Sequence, residues 1–371
     1  MIYKHGYPIC GKESFMETRK FKRIGVLTSG GDAPGMNAAV RSVVRTALAN
    51  GVEVMAINGG YRGLIENDMK LLGPHDVSNI INEGGTFLYT DRCLEFKEEP
   101  GMQKALKVAA ENKIDGLVCI GGDGTFRGAQ DLTRRGLPCI GVTGTIDNDV
   151  SSSDYTVGFD TAMNTVIEMV DRLRDTCESH ARCNVVEVMG RDAGYIAVET
   201  AIATGATGCA VKEIPFDEAA VIEKIKLAKT YKKRNFIIIV SEGMGGEFGE
   251  ALAKKIDAET GVETKFARLA HVQRGGRPTL RDRVTASKMG AHAVELLLEG
   301  KSNLIVTEND GVIGERDIEW ALMYDRVYKG KAKPEEIEKL DPKVYDEMKA
   351  LAKIKRDKFV ELYELGNNIS I

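Results

Sequence analysis

Two acidic, glycine-rich loops carry the residues best suited to chemistry. Residues 121–125 read Gly-Gly-Asp-Gly-Thr, and residues 141–149 read GVTGTIDND, so that Asp147 and Asp149 stand two positions apart; each loop follows an apolar run. A strand that ends in such a loop presents its side chains at the carboxyl edge of a sheet, where α/β proteins hold ligands. One loop for a nucleotide phosphate and its metal, and one for a base, would suit phosphoryl transfer.

Aspartate in a loop has a commoner role, because its side chain often hydrogen-bonds to nearby backbone in turns and helix caps. The spacing of Asp147 and Asp149 alone slightly favours that role. A third loop, residues 29–37 (SGGDAPGMN), lies between a strand pattern at 24–28 and a helix pattern at 38–48. This order builds phosphate sites, since small residues let backbone N–H groups approach an anion. Taken alone, such a loop is more often a plain turn.

Strand and helix patterns alternate through most of the chain, which predicts an α/β protein with parallel sheets covered on both faces. Many strands end in a polar or charged residue followed by glycine, so we expect two doubly wound, Rossmann-like lobes with a cleft between the carboxyl ends of their strands. The predicted strands include 53–57, 114–120, 137–142, 184–189, 236–240 and 264–270. The predicted helices include 102–111, 126–135, 158–175, 217–228 and 249–259.

Composition is typical of a soluble globular protein. The 371 residues suffice for two domains, and the net charge of -4 excludes a nucleic-acid partner on bulk electrostatics. The 7 cysteines are scattered without a CxxC pair, which predicts buried thiols in a reducing cytoplasm. No apolar run is long enough to span a membrane. Residues 1–20 form an N-terminal extension that we expect to be mobile, and the charged sequence after residue 329 predicts a surface tail or packing helix, with a solvated helix face at 331–338.

Several motifs, in order, carry a resemblance to a known family. They are IGVLTSGGDAPGMNAAVR at 24–41, GGDGT at 121–125, GTIDND at 144–149, GFDTA at 158–162, VVEVMGR at 185–191 and HVQRGG at 271–276. Together they resemble bacterial ATP-dependent 6-phosphofructokinase over roughly residues 21–327, and the ordered set is far more specific than any one motif. The resemblance implies the phosphofructokinase fold, a glycolytic allosteric kinase and four segments. These are an extension at 1–20, an ATP-binding lobe at 21–157 plus 273–323, a fructose 6-phosphate-binding lobe at 158–272 and a C-terminal segment at 324–371.

The resemblance implies roles for the two acidic loops. Asp147 is similar to the base that accepts the proton of the fructose 6-phosphate 1-hydroxyl, with Thr145 and Arg191 beside it. Asp123 resembles the ligand of the Mg²⁺ ion that remains on the ATP phosphates, and Asp149 would support that metal.

The ATP site is implied in the same way. Its matching positions are Gly31, Arg92, Cys93, Gly122, Asp123, Gly124 and Thr125. Arg92 would also neutralise the transferring phosphoryl group, although an isolated arginine there is more often a surface residue. Pyrophosphate-dependent relatives usually carry Asp and Lys where this chain has Gly124 and Gly144, and glycine leaves room for the longer nucleotide. We therefore predict ATP as the phosphoryl donor.

The sugar phosphate site is implied to draw on two subunits. Its positions are Thr145, Ile146, Asp147, Arg182, Met189, Gly190, Arg191, Glu242, Lys265, His271 and Arg274. In the family, Arg182 and the position of Lys265 reach across from a neighbouring subunit, which implies a homotetramer with active sites at its interfaces. Lys265 stands where an arginine is usual and loses the bidentate fork, and Arg268 is the nearby candidate to replace it.

The family's allosteric site for ADP and phosphoenolpyruvate is altered here. Its basic residues Arg41, Arg45, Arg174 and Lys233 are present, but Pro74, Thr207 and Tyr231 stand where Arg, Glu and Lys are usual. We therefore expect the usual effector response to be weak or absent.

Two other functions stay open on the sequence. GGDGT also occurs in NAD kinases and lipid kinases, although GTIDND, VMGR and HVQRGG in the same chain speak against them. A non-catalytic regulatory paralogue should have lost its base or metal ligand, whereas Asp147, Asp123 and Arg191 are all present.

Overall fold

The computed structural model describes residues 21–370, so the predicted extension at 1–20 lies outside the described residues. The strands are β1 (Arg23–Thr28), β2 (Glu53–Ile57), β3 (Met69–Leu72), β4 (Gly116–Gly121), β5 (Cys139–Thr143), β6 (Cys183–Val188), β7 (Gly208–Ala210), β8 (Phe236–Ser241), β9 (Thr264–Arg268), β10 (Leu304–Asn309) and β11 (Val312–Asp317). The helices are α1 (Met36–Ala49), α2 (Tyr61–Glu66), α3 (Glu99–Glu111), α4 (Asp123–Arg134), α5 (Phe159–His180), α6 (Tyr195–Thr204), α7 (Glu218–Thr230), α8 (Phe248–Thr260), α9 (Leu280–Leu298), α10 (Ile318–Tyr328), α11 (Pro334–Ile337) and α12 (Pro342–Asn368).

The first sheet has seven strands in the order β11-β10-β5-β4-β1-β2-β3. Strands β10, β5, β4, β1 and β2 run parallel, and every residue of β4 and β5 is buried. Helices cover both faces, which explains why these strands read as continuous apolar runs rather than as alternating patterns. The carboxyl ends of β1, β4 and β5 therefore open at one edge of the sheet.

The second sheet has four parallel strands in the order β7-β8-β6-β9. Strands β6 and β8 are buried along their whole length, because α5 and α6 pack on one side and α7 and α8 on the other. The prediction of two doubly wound α/β lobes is confirmed.

Three expectations about local structure were wrong. Both edges of the first sheet are antiparallel, since β3 pairs antiparallel with β2 and β11 with β10. The strand predicted at 264–270 ends at Arg268, and a short 3₁₀ helix follows at Ala270–Arg274. The solvated helix expected at 331–338 contains only the single turn α11.

A buried carboxylate joins the lobes. Asp282, in the first turn of α9, accepts hydrogen bonds from the hydroxyl of Tyr155 (2.6 Å), the backbone N–H of Gly158 (2.7 Å) and the backbone N–H of Thr161 (2.9 Å). It therefore satisfies free N–H groups at the start of α5, the helix that leads into the second lobe. No motif indicated this role.

The C-terminal segment packs on the body of the protein. Helix α12 lies against α6 and α10, with Phe359 buried edge-to-face on the ring of Tyr195. Lys355 reaches the connection between β5 and α5 and donates to the backbone carbonyls of Ser151 (3.0 Å) and Ser153 (2.8 Å). The segment is thus a packing helix that touches both lobes.

Among residues 21–370, no helix combines the length and apolarity needed to cross a membrane.

Candidate active site

The ends of β1, β4 and β5 border a cavity of about 600 Å³ in the cleft between the lobes. The loops that follow these strands form its wall, and residues from the second lobe close it from the other side. The predicted site residues that line it are Gly31, Arg92, Cys93, Gly122, Asp123, Gly124, Thr125, Thr145, Asp149, Arg191 and Arg274. The structure therefore brings the positions of the predicted ATP site to one place.

The glycine loop after β1 receives Arg274, from the 3₁₀ helix that follows β9. Arg274 donates from Nη1 to the backbone carbonyl of Asp32 at 3.2 Å. A Cβ atom at Gly31 would lie 2.4 Å from the same nitrogen, so a side chain there would displace the end of Arg274. The arginine of the HVQRGG motif thereby lines the cavity.

Helix α4 points its amino terminus at the cavity. Gly122 precedes its first turn, and the Thr125 hydroxyl donates to the backbone carbonyl of Ser29 at 3.0 Å, which ties the loops after β4 and β1 together. Free N–H groups and the helix dipole make this end of α4 suited to an anion. A Cβ atom at Gly124 would meet nothing within 4 Å, whereas one at Gly144 would lie 3.2 Å from Ile120 and from Met36. Room for a ligand is therefore found at Gly124, and Gly144 is closely packed.

Asp147 is buried without hydrogen bonds. Its side chain has no exposed surface, and neither carboxylate oxygen accepts a hydrogen bond from a described residue. The Nε atom of Arg191 lies 3.1 Å from Oδ2, close enough for an ion pair but outside hydrogen-bond geometry. Burial and the nearby Asp149 raise the pKa of Asp147 to about 6, against the opposing charges of Arg191 and Arg274. Asp147 does not itself line the cavity, whereas Arg191 beside it does.

The loop that carries Arg191 is held by Glu242. One carboxylate oxygen of Glu242 accepts the backbone N–H groups of Gly190 (3.0 Å) and Arg191 (2.7 Å). Arg191 adopts a positive φ of 54°, which is uncommon for a residue with a side chain. The end of β8 thus fixes the turn after β6 and aims the Arg191 side chain across the cleft.

Asp123 and Asp149 share a lysine that the sequence reasoning missed. The Nζ atom of Lys329, at the end of α10, lies 3.9 Å from Asp123 Oδ2 and 3.7 Å from Asp149 Oδ2. It also pairs with Asp325 at 2.9 Å and donates to the Asp149 backbone carbonyl at 2.8 Å. Burial and the charge of Asp325 raise the pKa of Asp123 to about 7, although Lys329 opposes the shift. No motif covers residue 329, so no signal in the sequence pointed to it.

The residues present suit a hard divalent cation. Within residues 21–370, no group of three or more His, Cys, Asp and Glu side chains has an arrangement that could hold a metal by itself. A magnesium ion carried by a nucleotide needs only one or two protein carboxylates, since phosphates and water supply the other ligands. Asp123 and Asp149 provide such oxygen donors on the cavity wall.

An aromatic wall was also missed. Tyr61 stacks on Phe96 with ring centroids 4.1 Å apart, and both line the cavity. The Tyr61 hydroxyl donates to the backbone carbonyl of Thr125 at 2.5 Å. A Cβ atom at Gly128 would lie 2.6 Å from the Tyr61 ring, so this glycine of α4 admits the stack. The wall offers an apolar surface beside the start of α4.

Two predicted sugar phosphate residues lie elsewhere in the chain. Arg182 and Lys265 stand at the amino ends of β6 and β9, where both pair with Glu263 at 2.7 and 2.9 Å. Met189, Gly190, Glu242 and His271 instead follow the carboxyl ends of β6, β8 and β9. A six-residue strand spans roughly 20 Å, so Arg182 and Lys265 are too far away to reach the cavity of their own chain. Arg268 pairs with Glu187 at 2.6 Å, as Arg182 and Lys265 pair with Glu263.

Two of the three altered allosteric positions, Thr207 and Tyr231, border a separate cavity of about 620 Å³. Thr207, Tyr231 and Lys233 line it together with Ser370, at the end of the C-terminal segment. Lys224, on α7, donates to the Ser370 hydroxyl at 2.8 Å. The end of the chain is therefore part of this cavity wall.

Comparisons with known proteins agree with this geometry. The family model described as phosphofructokinase matches residues 23–297. The chain is 50% identical over 307 residues to ATP-dependent 6-phosphofructokinase 1 of Clostridium perfringens, covering 83% of this chain and 96% of that protein. It is 50% identical over 297 residues to ATP-dependent 6-phosphofructokinase of Bacillus subtilis, covering 80% of this chain and 92% of that protein.

A solved structure of phosphofructokinase from Saccharomyces cerevisiae shares the fold. It superposes with a TM-score of 0.82 at 32% sequence identity over 93% of this chain. This chain spans 50% of the length of that yeast chain.

Proposed function

This chain belongs to the phosphofructokinase family, and on that premise we propose that it transfers the γ-phosphoryl group of ATP to the 1-hydroxyl of D-fructose 6-phosphate. The product is fructose 1,6-bisphosphate, and the step commits the sugar to glycolysis. The observation that carries the proposal is Asp147, a buried carboxylate with no hydrogen bond to either oxygen, at the end of β5 where the two lobes meet. A carboxylate kept unbonded inside a protein is costly, and a reacting hydroxyl is the partner that would compensate for it.

Asp147 would accept the proton of the sugar hydroxyl as the phosphoryl group is transferred. A loose transition state requires an oriented nucleophile more than a strong base, and a carboxylate fulfils that requirement. Arg191 must turn away from Asp147 for the sugar to reach it, and its guanidinium then becomes available to the transferring phosphoryl group. Thr145 lines the cavity next to this position.

The cavity beside α4 would hold the nucleotide. The N–H groups at the start of α4 would face the phosphates, and the open space at Gly124 would accommodate the polyphosphate chain. The Tyr61–Phe96 stack would supply an apolar surface for the adenosine. Arg92 is exposed on the rim and would meet the phosphoryl group there. An Asp at position 124 would project a negative charge into the space that a nucleotide requires, which is why we expect ATP rather than pyrophosphate.

Magnesium would be held by Asp123, with Asp149 supporting it directly or through water. When bound, the ion neutralises charge that develops on the phosphates. The protein's own contribution is to place two carboxylate donors at the ends of neighbouring strands, β4 and β5.

The 6-phosphate would be bound by residues of two chains. Arg274 and His271 supply donors from one chain, and Glu242 holds the Arg191 loop in place. Arg182 and Lys265 would come from a neighbouring subunit, since these side chains are too far from the cavity of their own chain to reach it. With the family resemblance, we extend the proposal to a homotetramer with shared sites, located in the cytoplasm.

A coupled assay tests the function directly. Purified enzyme is given fructose 6-phosphate with MgATP or with magnesium pyrophosphate, and fructose 1,6-bisphosphate is detected through aldolase. We expect turnover with ATP and a kcat/KM at least about a hundredfold lower with pyrophosphate. That ratio corresponds to a difference of about 2.7 kcal/mol in transition-state stabilisation. Preference for pyrophosphate would overturn the donor assignment, and ADP release only with NAD or a lipid would favour another GGDGT kinase.

A further inference from the structure

Lys329 occupies an unusual position for a lysine at the end of a surface helix. Its side chain is 18% exposed, and its ammonium is fixed by Asp325 at 2.9 Å and by the Asp149 backbone carbonyl at 2.8 Å. From there it lies within 4 Å of the carboxylates of both Asp123 and Asp149. An internal positive charge therefore already lies between the two donors assigned to magnesium above.

We propose that Lys329 is a tethered cation that competes with free magnesium for Asp123 and Asp149, so that the divalent ion enters together with the nucleotide. The inference rests on the proposed metal site and adds a residue from the C-terminal segment to it. Two like charges held a few ångströms apart repel by several kcal/mol when they are partly buried, at an effective dielectric constant of about 20. A divalent ion arriving alone must displace the ammonium or bear that repulsion.

The nucleotide changes this balance. A triphosphate brings enough negative charge to offset both the magnesium ion and the lysine, and its oxygens offer the ammonium new partners. Free metal meets carboxylates whose negative charge Lys329 already reduces, since Asp123, Asp149 and Asp325 share its ammonium, and it brings no anion to hold the ammonium that it displaces. Lys329 thus favours the metal–nucleotide complex over the metal alone.

The structure leaves the lysine room to move. Lys329 lines a second cavity, of about 330 Å³, on the far side of Asp149, and Asp149 lines both cavities. Gly330, with a φ of 64°, follows directly, so that α10 ends at this point. The ammonium can therefore withdraw from the carboxylates into the second cavity without unwinding the helix.

A purely structural salt bridge is the competing explanation. In that case Lys329 would only fasten α10 to the loop after β5, and its loss would lower stability without changing metal affinity. The two explanations separate when metal binding is measured in the absence of nucleotide, where activity plays no part.

The test uses Mn²⁺, whose binding is read from the electron paramagnetic resonance signal of the free ion. The full-length enzyme is titrated without nucleotide as the parent, Lys329→Met and Lys331→Met. Lys331 is the matched control, because it lies two residues away and pairs with the exposed Asp192 at 2.9 Å. We expect Lys329→Met to bind Mn²⁺ at least about tenfold more tightly than the parent, a conservative share of the repulsion estimated above, and Lys331→Met to match the parent.

Lys329→Gln provides a second variant in case Lys329→Met folds poorly, since the amide can still donate to the Asp149 carbonyl. It should show the same gain in affinity. Unchanged or weaker Mn²⁺ binding in a folded Lys329 variant would overturn the inference.

Failure of the proposed metal site would look different. Adding Asp123→Asn to Lys329→Met should abolish the gained affinity; if the gain persists, the ion lies elsewhere and the competition at Asp123 is overturned. Binding of MnATP to the parent and to Asp123→Asn tests the metal site independently of Lys329. Weaker MnATP binding in Asp123→Asn together with no gain in Lys329→Met would preserve the metal site and eliminate only the role of Lys329.

Discussion

At the scale of single residues, Asp147 has an environment that should lower the stability of the folded protein. Asp147 is buried, accepts no hydrogen bond from a described residue and has a raised pKa, chiefly because of burial. Arg191 is its only close countercharge among the ion pairs of the described residues. Such a group is destabilising by itself, so its presence is best explained by a partner that arrives with the substrate.

Replacing Asp147 by Asn or Ser is expected to lower kcat by about 10²- to 10⁴-fold, the usual contribution of a positioned base. Binding of ATP and fructose 6-phosphate, measured by calorimetry, should change little, since neither variant removes a phosphate contact. The thermal unfolding midpoint should not fall, because an unbonded buried charge is removed. Asp154→Asn, an exposed carboxylate of the same connection, serves as control. Turnover near the parent level in Asp147→Ser would eliminate the proposed base.

The residue scale also shows what the sequence can and cannot reveal. Asp147 and Asp123 could be found because each follows a strand within a glycine-punctuated motif. Lys329 could not be found, since it lies 180 positions from Asp149 and meets it only through the packing of α10. Tyr61 was missed for the same reason: its partner Phe96 and its neighbour Gly128 come from separate parts of the chain.

At the scale of elements, the buried parallel strands were predictable and the edges were not. Strands such as β4 and β8 read as unbroken apolar runs, because both of their faces are covered. Strand β3 has two exposed residues among its four, and β11 has charged residues at three of its six positions. Such edge strands form because a neighbour offers free backbone groups, which leaves little signal in their own sequence.

Helix α12 illustrates a contribution that depends on pH. Burial lowers the pKa of Lys355 from 10.5 to about 8, although its ammonium donates to two backbone carbonyls. Between about pH 8 and 10, the unfolded chain therefore binds more protons at this lysine than the folded protein does. Stability must rise with pH across that window as far as Lys355 is concerned.

The variant Lys355→Met tests this pH dependence, because it keeps an aliphatic side chain and removes the titratable ammonium group. The free energy of unfolding of the parent minus that of the variant should increase between pH 7.5 and 10 by on the order of 3 kcal/mol, the value of a shift of this size. Denaturant titrations at several pH values measure it. A flat difference for Lys355→Met would contradict the expected linkage.

At the scale of the whole molecule, the C-terminal segment reaches the cavity where the allosteric positions are altered. Ser370 lines that cavity beside Thr207 and Tyr231, and Lys224 binds its hydroxyl. The cavity thus contains fewer charges than the resemblance would require, and one of its cations is already engaged.

We therefore expect ADP at millimolar concentration to leave the fructose 6-phosphate saturation curve unshifted within about twofold, which corresponds to a coupling free energy below about 0.4 kcal/mol. The measurement is steady-state kinetics at fixed MgATP, in which fructose 6-phosphate is varied with and without ADP and with and without phosphoenolpyruvate. A clear activation by ADP would show that Arg45, Arg174 and Lys233 suffice for the response.

The arrangement of the second sheet leads to the last prediction. Arg182 and Lys265 lie at the amino ends of their strands, whereas Arg191, Glu242 and His271 follow carboxyl ends. Both basic residues are at the surface and are paired only with Glu263 among the described residues. The residues proposed for the phosphate site therefore lie in two groups, at opposite ends of the strands of one sheet.

Subunit mixing tests whether these halves meet between chains. Arg182→Ala should raise the KM for fructose 6-phosphate by about tenfold or more, the loss of one charge-assisted contact, while Asp147→Asn should be nearly inactive. In co-expressed hybrids, a site can combine Asp147 of the first variant with Arg182 of the second, so activity with the parent KM should reappear. If each chain built its own site, every active site would lack one residue and only the high KM would be seen. Parent-like KM in the Arg182→Ala homo-oligomer would contradict the proposed contact itself.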